Sequence, residues 1–254
     1  MNHLDELQNI PVFSLEKNEK ETVFTRIINE LVHHHYTKCD YYKRILDVLK
    51  YDTSIEHKLE DIPFIPARLF KSHRLSSIDD SNTMKTLISS GTTGQGRSTI
   101  VLDKENSLNQ IKVLTKTVSS LTGKKRVPML VIDSPSVIKN REKFSARGAG
   151  ILGFSMLAKK VEYALNDDME LDTNLVQQFA KKYTGEPVLI FGFTFMIFEY
   201  FCKPLLESAE SMNLDQATLI HGGGWKKMID KDIDSKKFKN IINKVTGVKQ
   251  VYDY

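Results

Sequence analysis

"ISSGTTGQGRSTIVLD", residues 88–103, is the stretch on which the reading of the fold turns. Counted from Gly91, the letters G-T-T-G-Q-G-R-S nearly spell the phosphate loop G-x-x-x-x-G-K-[ST], with Arg97 where the lysine belongs. That loop works by running from a strand directly into a helix, whose N-terminus and lysine hold the anion. Here Arg97 leads instead into Ser-Thr-Ile-Val-Leu, a β-branched run, and a helix cannot start before Asp103. The phosphate-loop-plus-helix reading therefore fails on context. A loop between two strands remains. In it Gly91, Gly94 and Gly96 let the backbone turn and expose its N–H groups, while Ser89, Ser90, Thr92 and Thr93 add hydroxyls. Arg97 adds a fixed positive charge. A plain hairpin needs only one or two such residues, so the expectation is a cradle for a triphosphate.

Outward from the loop, the chain changes character. Before it, "ETVFTRIINELVHHHYTKCDYYKRILDVLK" carries Ile28, Leu31, His35, Cys39, Tyr42, Leu46 and Leu49 at steps of three or four. That spacing predicts a helical stripe, broken near Asp40, which is able to cap a second helix. Pro63 and Pro66 then force an extended connection. After residue 84 short strand-like runs alternate with helices. The strands are expected at Lys85–Ser89, Thr99–Leu102, Pro128–Asp133, Val161–Leu165, Val188–Phe191, Thr218–His221 and Lys249–Tyr252. One helix is expected from Asp103 to Gly123, with Leu108, Ile111, Leu114, Val118 and Leu121 as its apolar positions. Two more run from Asp172 to Gly185 and from Ser235 to Gly247. Such alternation predicts an α/β fold with helices covering a largely parallel sheet. The division expected is a helical N-terminal segment over 1–75 and an α/β nucleotide-binding region over 76–254.

Composition narrows the function classes. The chain has 254 residues and a net charge of +4, from 36 basic and 32 acidic side chains, which gives no nucleic-acid signal. "MNHLDELQNI" carries acids and no apolar core, unlike a secretory signal. "VLIFGFTFMIF" at 188–198 is too short to span a bilayer. Two cysteines, Cys39 and Cys202, fit a reducing compartment, so the expected location is cytoplasmic.

Several blocks together resemble one family. "SSGTTGQGRS" is similar to the Ser/Thr/Gly signature of the adenylate-forming superfamily, which includes acyl-CoA synthetases, luciferases and nonribosomal adenylation domains. "HYTKCDYYKRIL", "DIPFIPARLFKSHRL", "FSARGAGILGF", "FGFTF" and above all "LIHGGGWKK" (219–227) resemble the acyl-protein synthetases of the LuxE type. The resemblance implies the large N-terminal domain of an adenylate-forming enzyme. It implies a ligase that activates a fatty acid with ATP and Mg²⁺ to an acyl-adenylate, then acts as an acyltransferase toward a protein cysteine thiol. The partner implied is an acyl-accepting protein or a fatty-acid reductase. On this resemblance Ser89, Ser90, Gly91, Thr92, Thr93, Gly94 and Arg97 hold the ATP phosphates. His221, Gly222, Gly223, Gly224, Trp225 and Asp253 surround adenine, Asp253 being the residue expected to meet its amino group. No catalytic residue is assigned and no protein metal site is expected.

The chain departs from the family's pattern at its end. "VKQVYDY" stops at the doorstep of the block that carries the magnesium-binding glutamate. The small C-terminal domain, with its catalytic lysine and acyl-accepting cysteine, would lie further on. The expectation is a truncated gene product or fragment, compromised in turnover. Two alternatives stand beside this reading. One is an adenylate-forming ligase that hands an acyl or aryl group to coenzyme A, against which "HGGGWK" argues. The other is a non-catalytic nucleotide-binding remnant. "HHH" at 33–35 beside Cys39 lacks further ligands for zinc, and both cysteines read as packed thiols. Phe191, Phe193, Phe195 and Phe198 read as core, or as the lining of an acyl tunnel.

Overall fold

The computed structural model describes residues 3–88, 97–123, 126–139, 146–225, 228 and 231–254. Cα packing divides the chain into two compact units, residues 1–114 and 115–254.

The first unit holds helices α1 (His3–Asn9), α2 (Lys17–Lys38), α3 (Asp40–Val48) and the short α4 (Leu69–Ser72). It also holds an antiparallel pair of strands, β1 (Lys85–Ile88) and β2 (Thr99–Leu102), with Thr86 facing Val101 and Ile88 facing Thr99. Arg97 and Ser98 are not helical, and β2 begins at once, which rules out a helix-capped phosphate loop. The expected stripe through the first helices is corrected. Ile27, Val32, Cys39 and Leu46 are buried, whereas Leu31 and Leu49 face outward. Cys39 takes an extended conformation (φ −127°, ψ 103°) between α2 and α3, so the chain breaks beside Asp40 as expected. Asp40 is the first residue of α3 rather than its cap.

Helix α5 (Lys104–Thr122) begins where Asp103 Oδ1 accepts the Asn106 N–H at 2.7 Å, and Gly123 closes it at φ +69°. The second unit then builds a five-stranded parallel sheet from β3 (Val127–Ile132), β4 (Ala158–Tyr163), β5 (Val188–Phe193), β6 (Ala217–Gly222) and β7 (Gln250–Asp253). The strand order is β4-β3-β5-β6-β7. Helices α6 (Ser136–Lys139) and α7 (Ala146–Ser155) link β3 to β4, and α8 (Thr173–Lys182) links β4 to β5. Between β5 and β6 run α9 (Thr194–Ile197), a π-helical turn at Phe198–Cys202 and α10 (Lys203–Glu207); α11 (Ser235–Thr246) joins β6 to β7.

This order fixes where the helices go. Right-handed crossovers that step toward β4 and toward β7 must lie on opposite faces of the sheet. On one face Leu130, Ile132, Ile190, Leu219 and Val251 form a core with Val176 and Phe179 of α8, Leu205 of α10 and Phe238 and Ile242 of α11. On the other, Phe154 of α7 stacks on Phe191 at 4.1 Å. Strands β3, β5 and β6 are buried on both faces; β3 and β5 read as near-continuous apolar runs, and β6 encloses the polar Thr218 and His221 among its apolar residues. Strand β4 begins earlier than expected, at Ala158. It is an edge strand, and edges tolerate its exposed Lys159 and Lys160. Helix α11 starts at Ser235 as expected, capped by Asp234, which accepts the Lys237 N–H at 2.7 Å, and Gly247 ends it at φ +74°.

Candidate functional site

Ligands of open parallel sheets bind beyond the carboxyl ends of the strands. Here β6 and β7 end side by side, with His221 paired to Asp253, and the Tyr254 N–H donates to the His221 carbonyl at 2.8 Å. Beyond β6 the chain turns through Gly223 (φ +88°) and Gly224 (φ +70°), conformations that side-chain-bearing residues rarely adopt. Gly223 is doubly constrained, because a Cβ there would lie 2.3 Å from Phe193 Cδ1. The turn thus passes flush against an aromatic edge from β5.

Trp225 comes next, and its indole N–H donates to Asp253 Oδ2 at 2.9 Å. The Asp253 side chain is about half exposed, and its other oxygen lies 3.7 Å from His221 Nδ1. His221, Trp225 and Phe238 form an edge-to-face cluster, with centroids 4.9–5.6 Å apart. The imidazole itself is fully enclosed.

Thr194, buried at the start of α9, assigns the imidazole tautomer. Its Oγ1 lies 3.0 Å from the Gly222 carbonyl, which can only accept, and 2.9 Å from His221 Nδ1. The single hydroxyl proton goes to the carbonyl, so His221 Nδ1–H donates to Thr194. Nε2 then carries a lone pair inside the aromatic cluster and meets no hydrogen-bond partner among the described residues. Burial lowers the His221 pKa, with Asp253 opposing in part. The ring is therefore neutral, and it braces the loop from beneath.

A second polar group sits where the strand order reverses, between β3 and β5. Asp133, buried just past β3, accepts the Ser134 backbone N–H at 2.8 Å and pairs with Arg147 Nε at 2.9 Å. Burial raises its pKa, offset by that N–H and by Arg147. Further along, the π-helical turn presents Glu199, which pairs with Lys231 beyond the glycine turn.

The structure thus brings His221, Gly222, Gly223, Gly224, Trp225 and Asp253 together. Ser89, Ser90, Gly91, Thr92, Thr93 and Gly94 lie outside the described residues. Arg97 is described in the first unit, exposed, at the start of the segment leading into β2. Sequence reasoning does not single out Thr194, Asp133 or Arg147. The available signals are a polar residue directly after each apolar strand run, and an arginine opening the block "ARGAGILGF".

The family described as acyl-protein synthetase, LuxE, matches residues 4–254. A long-chain-fatty-acid–luciferin-component ligase of Vibrio harveyi is 23% identical over 238 residues, covering 88% of this chain and 58% of that protein. The ligase of the same description from Photorhabdus luminescens is 30% identical over 77 residues, covering 30% of this chain and 66% of that one. The chain thus spans less than two thirds of the length of the Vibrio relative. Among solved structures, 2-hydroxyisobutyryl-CoA ligase in an open conformation with 2-HIB-AMP and CoA superposes over 97% of this chain and 54% of its own, with a TM-score of 0.62 at 13% identity. Its postadenylation state gives 0.64, over 97% of this chain and 52% of its own, also at 13% identity. These likenesses establish the fold.

Proposed function

The chain belongs to the acyl-protein synthetase LuxE family, and from that premise we propose that it binds ATP and a fatty acid and joins them as an acyl-adenylate. A carboxylate oxygen attacks the α-phosphorus, the bond to the β-phosphate oxygen breaks, and pyrophosphate leaves. A thiolate then attacks the acyl carbon, forming a thioester and releasing AMP. The acceptor in this reading is a cysteine outside the folded core. Cys202 is fully buried and its thiol is pushed up to about 12 by burial, while Cys39 is buried as well.

One observation carries the reading. At the carboxyl edge of the sheet, a turn of Gly222, Gly223 and Gly224 runs beside an indole pinned by the neighbouring strand's carboxylate. Such an edge suits a flat, polar-rimmed base: the glycine backbone admits close approach, Trp225 supplies an aromatic wall, and Asp253 supplies an acceptor for an amino group. Thr194 and His221 hold that edge from below. Mg²⁺ would arrive with the nucleotide and neutralise charge on its phosphates. Among the described residues no group of three carboxylate, imidazole or thiol side chains is gathered to hold a metal. Asp253, with one oxygen bonded to the indole, is suited to the base rather than to an ion. No helix among the described residues is long and apolar enough to cross a membrane.

Calorimetric titration tests the proposal. A non-hydrolysable acyl-sulfamoyl adenosine should bind at least about tenfold more tightly than AMP, because it joins two binding contributions in one molecule. Equal affinities for the analogue and AMP would remove the acyl half of the reading.

A further inference from the structure

One short stretch, residues 193–199, holds the chain at both ends of the glycine turn and Trp225. At the entry, Thr194 Oγ1 donates to the Gly222 carbonyl, and the Phe193 ring lies against Gly223. At the exit stands Lys231. Its ammonium pairs with Glu199 and lies 5.8 Å from the ring centroids of both Phe195 and Phe198. Glu199 belongs to the π-helical turn at Phe198–Cys202, a rare departure from α geometry that recurs at functional sites. Between the two ends, the Met228 N–H donates to the Trp225 carbonyl at 2.8 Å, and Met228 is fully buried.

The exit contact differs from an ordinary surface pair. The Lys231 side chain is 35% exposed and that of Glu199 17%, so solvent screens their attraction only in part. The two ring faces add cation–π attraction. The carboxylate does not depend on Lys231 for its charge balance, however. Lys203, one helical turn along, has its ammonium 3.8 Å from Glu199 Oε2 and keeps that group paired when Lys231 is removed. A contact of this kind suits the placing of a loop more than the holding of a core.

We propose that Lys231, through Glu199 and the two rings, is a positioning residue for Trp225 and the glycine turn, pre-organising the edge on which the adenine of the adenylate rests. The ligand's identity rests on the adenylation reading; the restraint on Trp225 does not.

Trp225 emission, its quenching by acrylamide and calorimetric titration with acyl-sulfamoyl adenosine decide the matter. The proteins compared are wild type, Lys231→Met, Glu199→Gln, Lys231→Arg, Lys203→Met and Lys244→Ala, the last an exposed control in the final turn of α11. Without ligand, Lys231→Met and Glu199→Gln should raise acrylamide quenching of Trp225 and shift its emission, with the urea midpoint little changed. Each should weaken the analogue about three- to tenfold, the scale of one partly shielded ion pair with its cation–π contacts. Lys231→Arg keeps the charge and stacks on aromatic faces, and should restore most of both readouts. Lys203→Met and Lys244→Ala should behave as wild type. Wild-type quenching in Lys231→Met and Glu199→Gln, or equal losses in Lys203→Met, would overturn the proposal. So would a loosened Trp225 with undiminished affinity, or a large fall of the urea midpoint in both variants, which would mark the contact as structural. A wild type that ignores the analogue would sink the adenylation reading, and quenching of the ligand-free variants would still decide for or against the restraint.

Discussion

The indole N–H of Trp225 donates to Asp253 Oδ2 at 2.9 Å, tying the turn after β6 to the last residue of β7. Trp225 is the single tryptophan of the chain, so tryptophan emission reports on this site. Asp253→Ala should shift the Trp225 emission maximum and weaken adenylate-analogue binding roughly ten- to 150-fold, the range expected for a hydrogen bond to a charged acceptor. Asp253→Asn, which keeps an acceptor oxygen, should lose less. An unchanged spectrum in Asp253→Ala would show that the contact does not order the indole.

Thr194 relays between two buried partners. Thr194→Val leaves the Gly222 carbonyl and His221 Nδ1–H without their mates, at a cost of about 1–3 kcal/mol. Thr194→Ser should recover most of that in urea denaturation. A valine variant as stable as wild type would contradict the Nδ1–H tautomer of His221.

The two turn glycines differ in what a side chain would meet. Gly224→Ala encounters no heavy atom within 4 Å and should cost only the left-handed backbone penalty, about 1–2 kcal/mol. Gly223→Ala adds a collision with the Phe193 ring and should cost clearly more. Phe193→Ala in the same chain should relieve the excess but not the backbone share. Equal losses in the two glycine variants would mean that Phe193 does not press on the turn.

Much of this architecture is legible in the sequence, for local reasons. The apolar runs of β3, β5 and β6 are bounded by turn residues, and Asp103, Asp172 and Gly247 announce helix ends through side-chain caps or a left-handed turn. In the first unit the break expected near Asp40 is found at Cys39, and the stripe misleads only at Leu31, within α2, and Leu49, past the end of α3, which face outward. The strand-end residues His221 and Asp253 are legible as a pair only through the family blocks. Thr194 and Asp133 are not, because their roles depend on which strands become neighbours, and the order β4-β3-β5 is a long-range fact.

His221 gives a pH dependence. Burial lowers its folded pKa below the unfolded value of about 6.5, so the unfolded chain binds the extra proton first. Its share of stability is complete well above pH 6.5 and is lost as pH falls from there to the depressed folded value. The slope within that window is at most about 1.4 kcal/mol per pH unit. Urea unfolding of wild type and His221→Gln between pH 8 and pH 5 isolates it: the wild-type curve should fall more steeply on acidification. Parallel curves would mean that the ring is not buried neutral.

Neither cysteine should react in the native protein. Cys202, with its thiol pushed up to about 12, and buried Cys39 should resist iodoacetamide at pH 8 and label only on unfolding. Rapid native labelling of either would reopen it as an acyl acceptor.

The most direct measurement tracks Trp225 emission as the purified protein is titrated with acyl-sulfamoyl adenosine. The account predicts a saturable change that is absent with the fatty acid alone, is weakened by Asp253→Ala and is preserved in Lys244→Ala. Tight binding that leaves Trp225 emission untouched, and is indifferent to Asp253, would place the adenylate elsewhere and contradict it.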